Sequence, residues 1–133
     1  MIVVIDASAA VEVALNRIDA LFFRKKLEDA DLVLAPDIYP SEIANVFWKY
    51  GKFSDVSEEL CEKGRTFCME LVDDYLSSID VCREVLSESL RIGHPVYDVF
   101  YLIAARRNNA FLLTKDRKLQ SIARELTIKV LHP

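Results

Sequence analysis

The stretch VVIDASAAV, residues 3–11, decides the fold. It opens with an unbroken run of branched apolar residues, as a strand covered on both faces requires, and then places Asp6 where that run stops. A helical pattern follows over about 8–15. One aspartate at the tip of a core strand is a helix cap or a ligand, and only the rest of the chain decides which.

Working outward, apolar runs of strand length alternate with longer helical patterns. Strands are expected at about 2–5, 32–35, 110–114 and 128–131, with a weaker one near 75–79. Helices are expected at about 8–15, 18–29, 40–51, 56–72, 80–92, 96–107 and 117–126. Pro40 suits a first helical position, and Asp55 followed by Glu58 resembles a capping box. This alternation predicts an α/β domain with a mainly parallel central sheet of four to five strands and helices on both faces. At 133 residues, 52% hydrophobic and 29% charged, the chain fits one domain over residues 1–133.

Composition removes several functions. No apolar run approaches the ~20 residues of a membrane span, and no cationic stretch precedes an apolar one at the N-terminus, so a cytoplasmic protein without membrane contact is expected. Cys61, Cys68 and Cys82 form no C-x-x-C pair and His94 and His132 are the two histidines, a poor set for structural zinc. Cys61 and Cys68, seven apart on one helix face, read as buried free thiols. No G-x-G-x-x-G or Walker-type loop follows a strand. The net charge of −4 does not advertise nucleic-acid binding, although an average hides local patches.

In a parallel α/β sheet, strand C-termini and helix N-termini share one edge, where ligands bind. Asp6 ends the first strand and Asp116 lies just beyond LLT. Glu42 is in the first turn of the helix opened by PSE, and Asp98 in that opened by HPVYD. Any one of them alone is as well explained by capping or solvation. Four together are a different matter. Two carboxylates about 4 Å apart repel by about 4 kcal/mol at an effective dielectric near 20, so a tight cluster protonates, spreads or holds a cation. With no convergent histidine or thiolate expected, oxygen ligation favours Mg²⁺ or Mn²⁺. Ser8 and Thr114 either orient these carboxylates, meet a phosphate oxygen, or simply cap. Lys115, Arg117 and Lys118 surround Asp116, as a solvated face or as a grip on a phosphate backbone, and Asn45, one turn after Glu42, is a surface amide or a pocket residue.

The order VVIDASAAV, PSEIANV, YDVFYLIAA, LLTKD resembles the PIN-domain ribonucleases, and within them the VapC-type toxins of prokaryotic toxin–antitoxin pairs. The similarity spans essentially the whole chain. It implies a Mg²⁺- or Mn²⁺-dependent endoribonuclease whose acidic pocket maps onto Asp6, Glu42, Asp98 and Asp116. Asp6, Asp98 and Asp116 would hold the ion, and Glu42 would complete a second metal site or orient the attacking water; the products would carry 5′-phosphate and 3′-hydroxyl ends. The resemblance also implies RNA as substrate, an antitoxin whose apolar segment lies in a groove between early helices, and a homodimer. Phe22 and Phe23, and Phe47, Trp48, Tyr50 and Phe53, are more aromatic residues than one burial face accommodates, which suits such partners. Two other classes compete. A phospho-receiver shares the layout and the Thr114–Lys115 pair but needs adjacent acids after the first strand, where DAS offers one. A non-catalytic module of the same fold would bind RNA or protein without turnover.

Overall fold

The computed structural model describes residues 1–133. Five strands, β1 (Ile2–Ile5), β2 (Leu32–Pro36), β3 (Asp74–Leu76), β4 (Phe111–Leu113) and β5 (Val130–Leu131), form one wholly parallel sheet in the order β3-β2-β1-β4-β5. Seven helices connect them: α1 (Ala7–Ala14), α2 (Ala20–Glu28), α3 (Tyr39–Phe53), α4 (Glu58–Glu70), α5 (Ser78–Ile92), α6 (Val96–Arg107) and α7 (Arg117–Glu125). The expected α/β architecture is the one observed.

β1 is the central strand, and its apolar run explains why. Val3, Val4 and Ile5 have no solvent exposure, each contributing about 1.5–3 kcal/mol by burial. From β1 the chain winds outward through β2 to β3, then crosses back to β4 and continues to β5. Parallel crossovers are right-handed, so α1 to α4 cover one face and α5 to α7 the other. The contacts agree: α3 packs on α4 and α1 on α2, while α6 lies across β1, β2 and β4 with α5 upon it. The direction of winding therefore reverses between β1 and β4, the place where doubly wound sheets open a crevice beyond their strand ends.

Two local expectations are corrected. The α4 cap is Ser57, whose side chain accepts from Leu60 N at 3.2 Å, and not Asp55, which sits in a left-handed turn at φ 53°. A serine directly before the helix outcompetes an aspartate two positions earlier that the turn already uses. The third strand ends at Leu76, because Ser77 adopts the extended cap conformation and Ser78 begins α5. Pro40 does lie in the first turn of α3. Cys68 is fully buried, its thiol pushed up to about 12 by burial, and Cys61 is half-buried; both are free.

Candidate active site

The reversal point carries the acids. Asp6 is the N-cap of α1, leaving the C-terminal tip of β1, and Asp116 is the N-cap of α7 just beyond β4, the strand paired with β1. Glu42 is in the first turn of α3, after β2, and Asp98 in the first turn of α6. α6 leads straight into β4 and so runs against it, which brings its N-terminus to the same edge.

Asp6 is 6% exposed and held on three sides. Oδ1 accepts from Ala9 N at 3.0 Å and from Ser8 Oγ at 2.7 Å, and Oδ2 accepts from the Thr114 hydroxyl. Thr114 Oγ1 accepts in turn from Asp116 N at 3.0 Å, and Ser8 Oγ from Lys115 N at 2.9 Å. The two hydroxyls, from opposite ends of the chain, thus lace β1 to β4 across the crevice and aim the Asp6 carboxylate. Neither is a helix cap. Asp116 Oδ1 accepts from Lys118 N at 2.9 Å and Leu119 N at 3.1 Å.

The acids feel one another. Burial pushes the Asp6 carboxyl up to about 6, with the Asp116 charge adding to it and the hydrogen bonds from Thr114, Ala9 and Ser8 opposing it. Burial likewise pushes Glu42 up to about 7, and the charges of Asp6 and Asp98 reinforce the rise. All four expected acids are linked by these interactions. They do not, however, close into a ligand shell: no three His, Cys, Asp or Glu side chains stand at metal-ligating distance of a common point.

Three residues not foreseen complete the picture. His94 Nε2 lies 2.8 Å from Asp98 Oδ2, so a histidine does reach one of the acids, contrary to expectation. The signal was present as H-P-x-x-D, a helical i,i+4 spacing. Tyr101, one turn after Asp98, is 1% exposed and its hydroxyl lies against the Glu42 carboxyl, short of strict hydrogen-bonding geometry. Burial, with Glu42 and Asp6 close by, pushes its phenol well above the ordinary value. Glu12, 1% exposed on α1, accepts from Lys115 Nζ at 2.8 Å and from Asp19 N at 3.1 Å. Burial opposes ionisation there, but Lys115, the Asp19 N–H and Arg17 together hold the carboxyl below its ordinary value.

Lys115 is accordingly committed to Glu12, with Asp19 Oδ2 at 3.8 Å, and does not turn to the acids as a free phosphate grip. Asn45 is exposed and makes no hydrogen bond to any of the four acids. Arg117 is exposed beside Asp116, while Arg106 and Arg107, at the far end of α6, pair with Glu84 and Glu88 of α5.

No family model matches the sequence, and no curated protein does. In three dimensions the chain has the class of a small, wholly parallel α/β domain with an acidic crevice. It is similar to the crystal structure of PAE2754 from Pyrobaculum aerophilum, with a TM-score of 0.69 and 20% identity over 94% of this chain and 88% of that one. That likeness is one of fold.

Proposed function

We propose that this chain is a divalent-metal-dependent endoribonuclease of the PIN-domain type, hydrolysing RNA phosphodiester bonds as the toxin of a toxin–antitoxin pair in the cytoplasm. One observation carries the proposal: four acids from β1, α3, α6 and the β4–α7 turn converge where the sheet reverses, two of them with carboxyls raised by burial and by each other. Such a group is short of positive charge. The donor set is all carboxylate apart from His94, which suits Mg²⁺ or Mn²⁺, and Asp6, Asp98, Asp116 and Glu42 are the residues that would hold it.

Once bound, a divalent ion supplies polarisation of the phosphodiester and a nucleophile at neutral pH. The protein's own groups do the rest. Ser8 and Thr114 fix the Asp6 carboxylate and favour its ionised form. Glu42, whose carboxyl is pushed up by burial and by Asp6 and Asp98, would either complete a second metal site or orient the attacking water. The Tyr101 hydroxyl interacts with the Glu42 carboxyl and favours its ionised form.

Surface features support the partners. Ile79, Leu86 and Leu90, at 82%, 53% and 76% exposure, lie along one stripe of α5 and suit a second copy of the chain. A cleft of about 540 Å³ between α3 and α4, lined by Phe47, Trp48 and Val56, suits an apolar antitoxin segment.

The test is incubation with a mixed RNA pool, with and without Mg²⁺ or Mn²⁺, beside Asp98→Asn. Metal-dependent fragments from the wild type and loss of most activity in a folded Asp98→Asn are expected; near wild-type cleavage by that variant would defeat the assignment. A non-catalytic RNA- or protein-binding module is favoured by the absence of a closed ligand shell. Binding of RNA without fragments under any divalent ion would select it. Phospho-receiver activity is disfavoured by the commitment of Lys115 to Glu12.

A further inference from the structure

Beside the acids lies a second cleft, of about 470 Å³, whose lining is polar apart from the ring of Pro133. Lys115, Arg117, Gln120, Arg124 and His132 face it, with Asp19 the acid among them. It abuts a cleft of similar size that reaches Ser8 and Asp116, and Lys115 belongs to both walls. On a chain of net charge −4, this leaves Arg117 and Arg124 as cations of the cleft without a carboxylate, Lys115 being paired with Glu12 and Asp19.

The lining is set by the helix. Arg117, Gln120 and Arg124 follow the i, i+3, i+7 spacing that places side chains on one face of α7, and the two arginines stand about 10 Å apart along its axis. Gln120 is 7% exposed and its Nε2 donates to Thr114 O at 2.9 Å. The floor of the cleft is therefore tied to the residue that aims Asp6. Lys115 is shared with Glu12 and Asp19, whereas neither Arg117 nor Arg124 has a carboxylate within ion-pair reach; Arg124 meets the His132 ring. Unpaired guanidinium forks in a polar cleft are built for bidentate contact with phosphate, and a lining whose one apolar side chain is Pro133 offers little to the side chains of a peptide.

We infer that this α7 cleft holds the backbone phosphates of a single-stranded RNA as it leaves the acid crevice, with Arg117 and Arg124 each taking a phosphate. The inference rests on the nuclease reading for its substrate and goes beyond it in giving the strand a path. A groove of this kind tracks the backbone without reading bases.

The experiment measures binding of a fluorescent single-stranded RNA by anisotropy across a salt series, in Mg²⁺, with Asp98→Asn as the uncleaving parent. Each phosphate contact contributes about 0.7 to the slope of log affinity against log salt for single strands, so Arg117→Gln with Arg124→Gln should flatten the slope by about 1.4. That corresponds to about 25-fold weaker binding at 0.1 M salt, converging near 1 M. Arg117→Lys with Arg124→Lys should restore the slope, because lysine keeps the charge. An unchanged slope and affinity in the glutamine pair overturns the inference. So does binding of polyglutamate that depends on the two arginines while RNA binding does not. Cleavage of a dinucleotide by the wild type with Mg²⁺ separates the two claims, since it reports on the acids alone. Dinucleotide cleavage with an unchanged RNA slope sinks the path and leaves the nuclease. A lost slope with no cleavage of any RNA sinks the nuclease and leaves the path.

Discussion

Replacing Asp6 by asparagine should stabilise the protein at neutral pH while removing its chemistry. Asparagine keeps the acceptor for Ala9 N and remains a good N-cap, so the fold is not at risk. The charge is what changes. Burial lifts the Asp6 carboxyl from 3.8 to about 6. A raised folded-state pKa means that the native protein binds more protons than the unfolded chain between those values, so stability falls as pH rises through that window. A shift of about two units corresponds to roughly 3 kcal/mol of stability, fully present below pH ~4 and fully lost above pH ~6. Urea denaturation in EDTA at pH 4 and pH 8 measures it. Asp6→Asn should equal the wild type at the lower pH and exceed it by up to about 3 kcal/mol at the higher, on the order of 10 °C in thermal midpoint. Addition of Mg²⁺ at pH 8 should stabilise the wild type and leave the variant unmoved. Equal destabilisation of the variant at both pH values would show that Asp6 is only a cap and that no electrostatic stress is stored at the crevice.

The remaining expectations concern single contacts. A Cβ on Gly64 would stand 2.3 Å from the ring of the buried Phe47, so Gly64→Ala should cost about 1–3 kcal/mol by overpacking α3 against α4, read by chemical denaturation. Lys115→Met leaves the Glu12 carboxylate buried without its counter-charge. Because the lysine side chain is itself 40% exposed, a loss of about 2 kcal/mol is expected rather than the ~3–5 of a fully buried pair, recovering in acid as Glu12 protonates. Tyr101→Phe removes the hydroxyl that interacts with the Glu42 carboxyl and should push that carboxyl further up, so RNA cleavage should slow and its pH–rate profile move to higher pH.

The elements were legible because their causes are local. The continuous apolar run of residues 2–5 makes β1 a fully covered strand, and Pro40 and the i, i+3, i+4 patterns mark the helices. The edge rule then placed all four acids correctly without any knowledge of strand order. What could not be read depends on side-chain direction and competition. Lys115 follows Thr114 and precedes Asp116, yet its reach is decided by a buried carboxylate on α1, more than a hundred positions away in the chain. Glu12 is one acid on a short apolar helix, and nothing in its neighbours announces its burial. Asn45 has the right spacing from Glu42, but the helix turns it to solvent. His94 was discounted because histidines were few, although its separation from Asp98 is the one that a helical turn brings into contact.

The hydroxyl bridge between Ser8 and Thr114 joins residues 106 positions apart, at 3.3 Å. A nascent chain on the ribosome therefore presents β1 with one flank unpaired until β4, more than a hundred positions later, has been translated. Until then Asp6 lacks the hydroxyl from Thr114, the Asp116 neighbour and the wall that shuts out water. Whatever the crevice does, it begins to do only once Thr114 and Asp116 have been made and β4 has paired with β1, and a chain cut before them carries β1, β2 and β3 without the assembled chemistry.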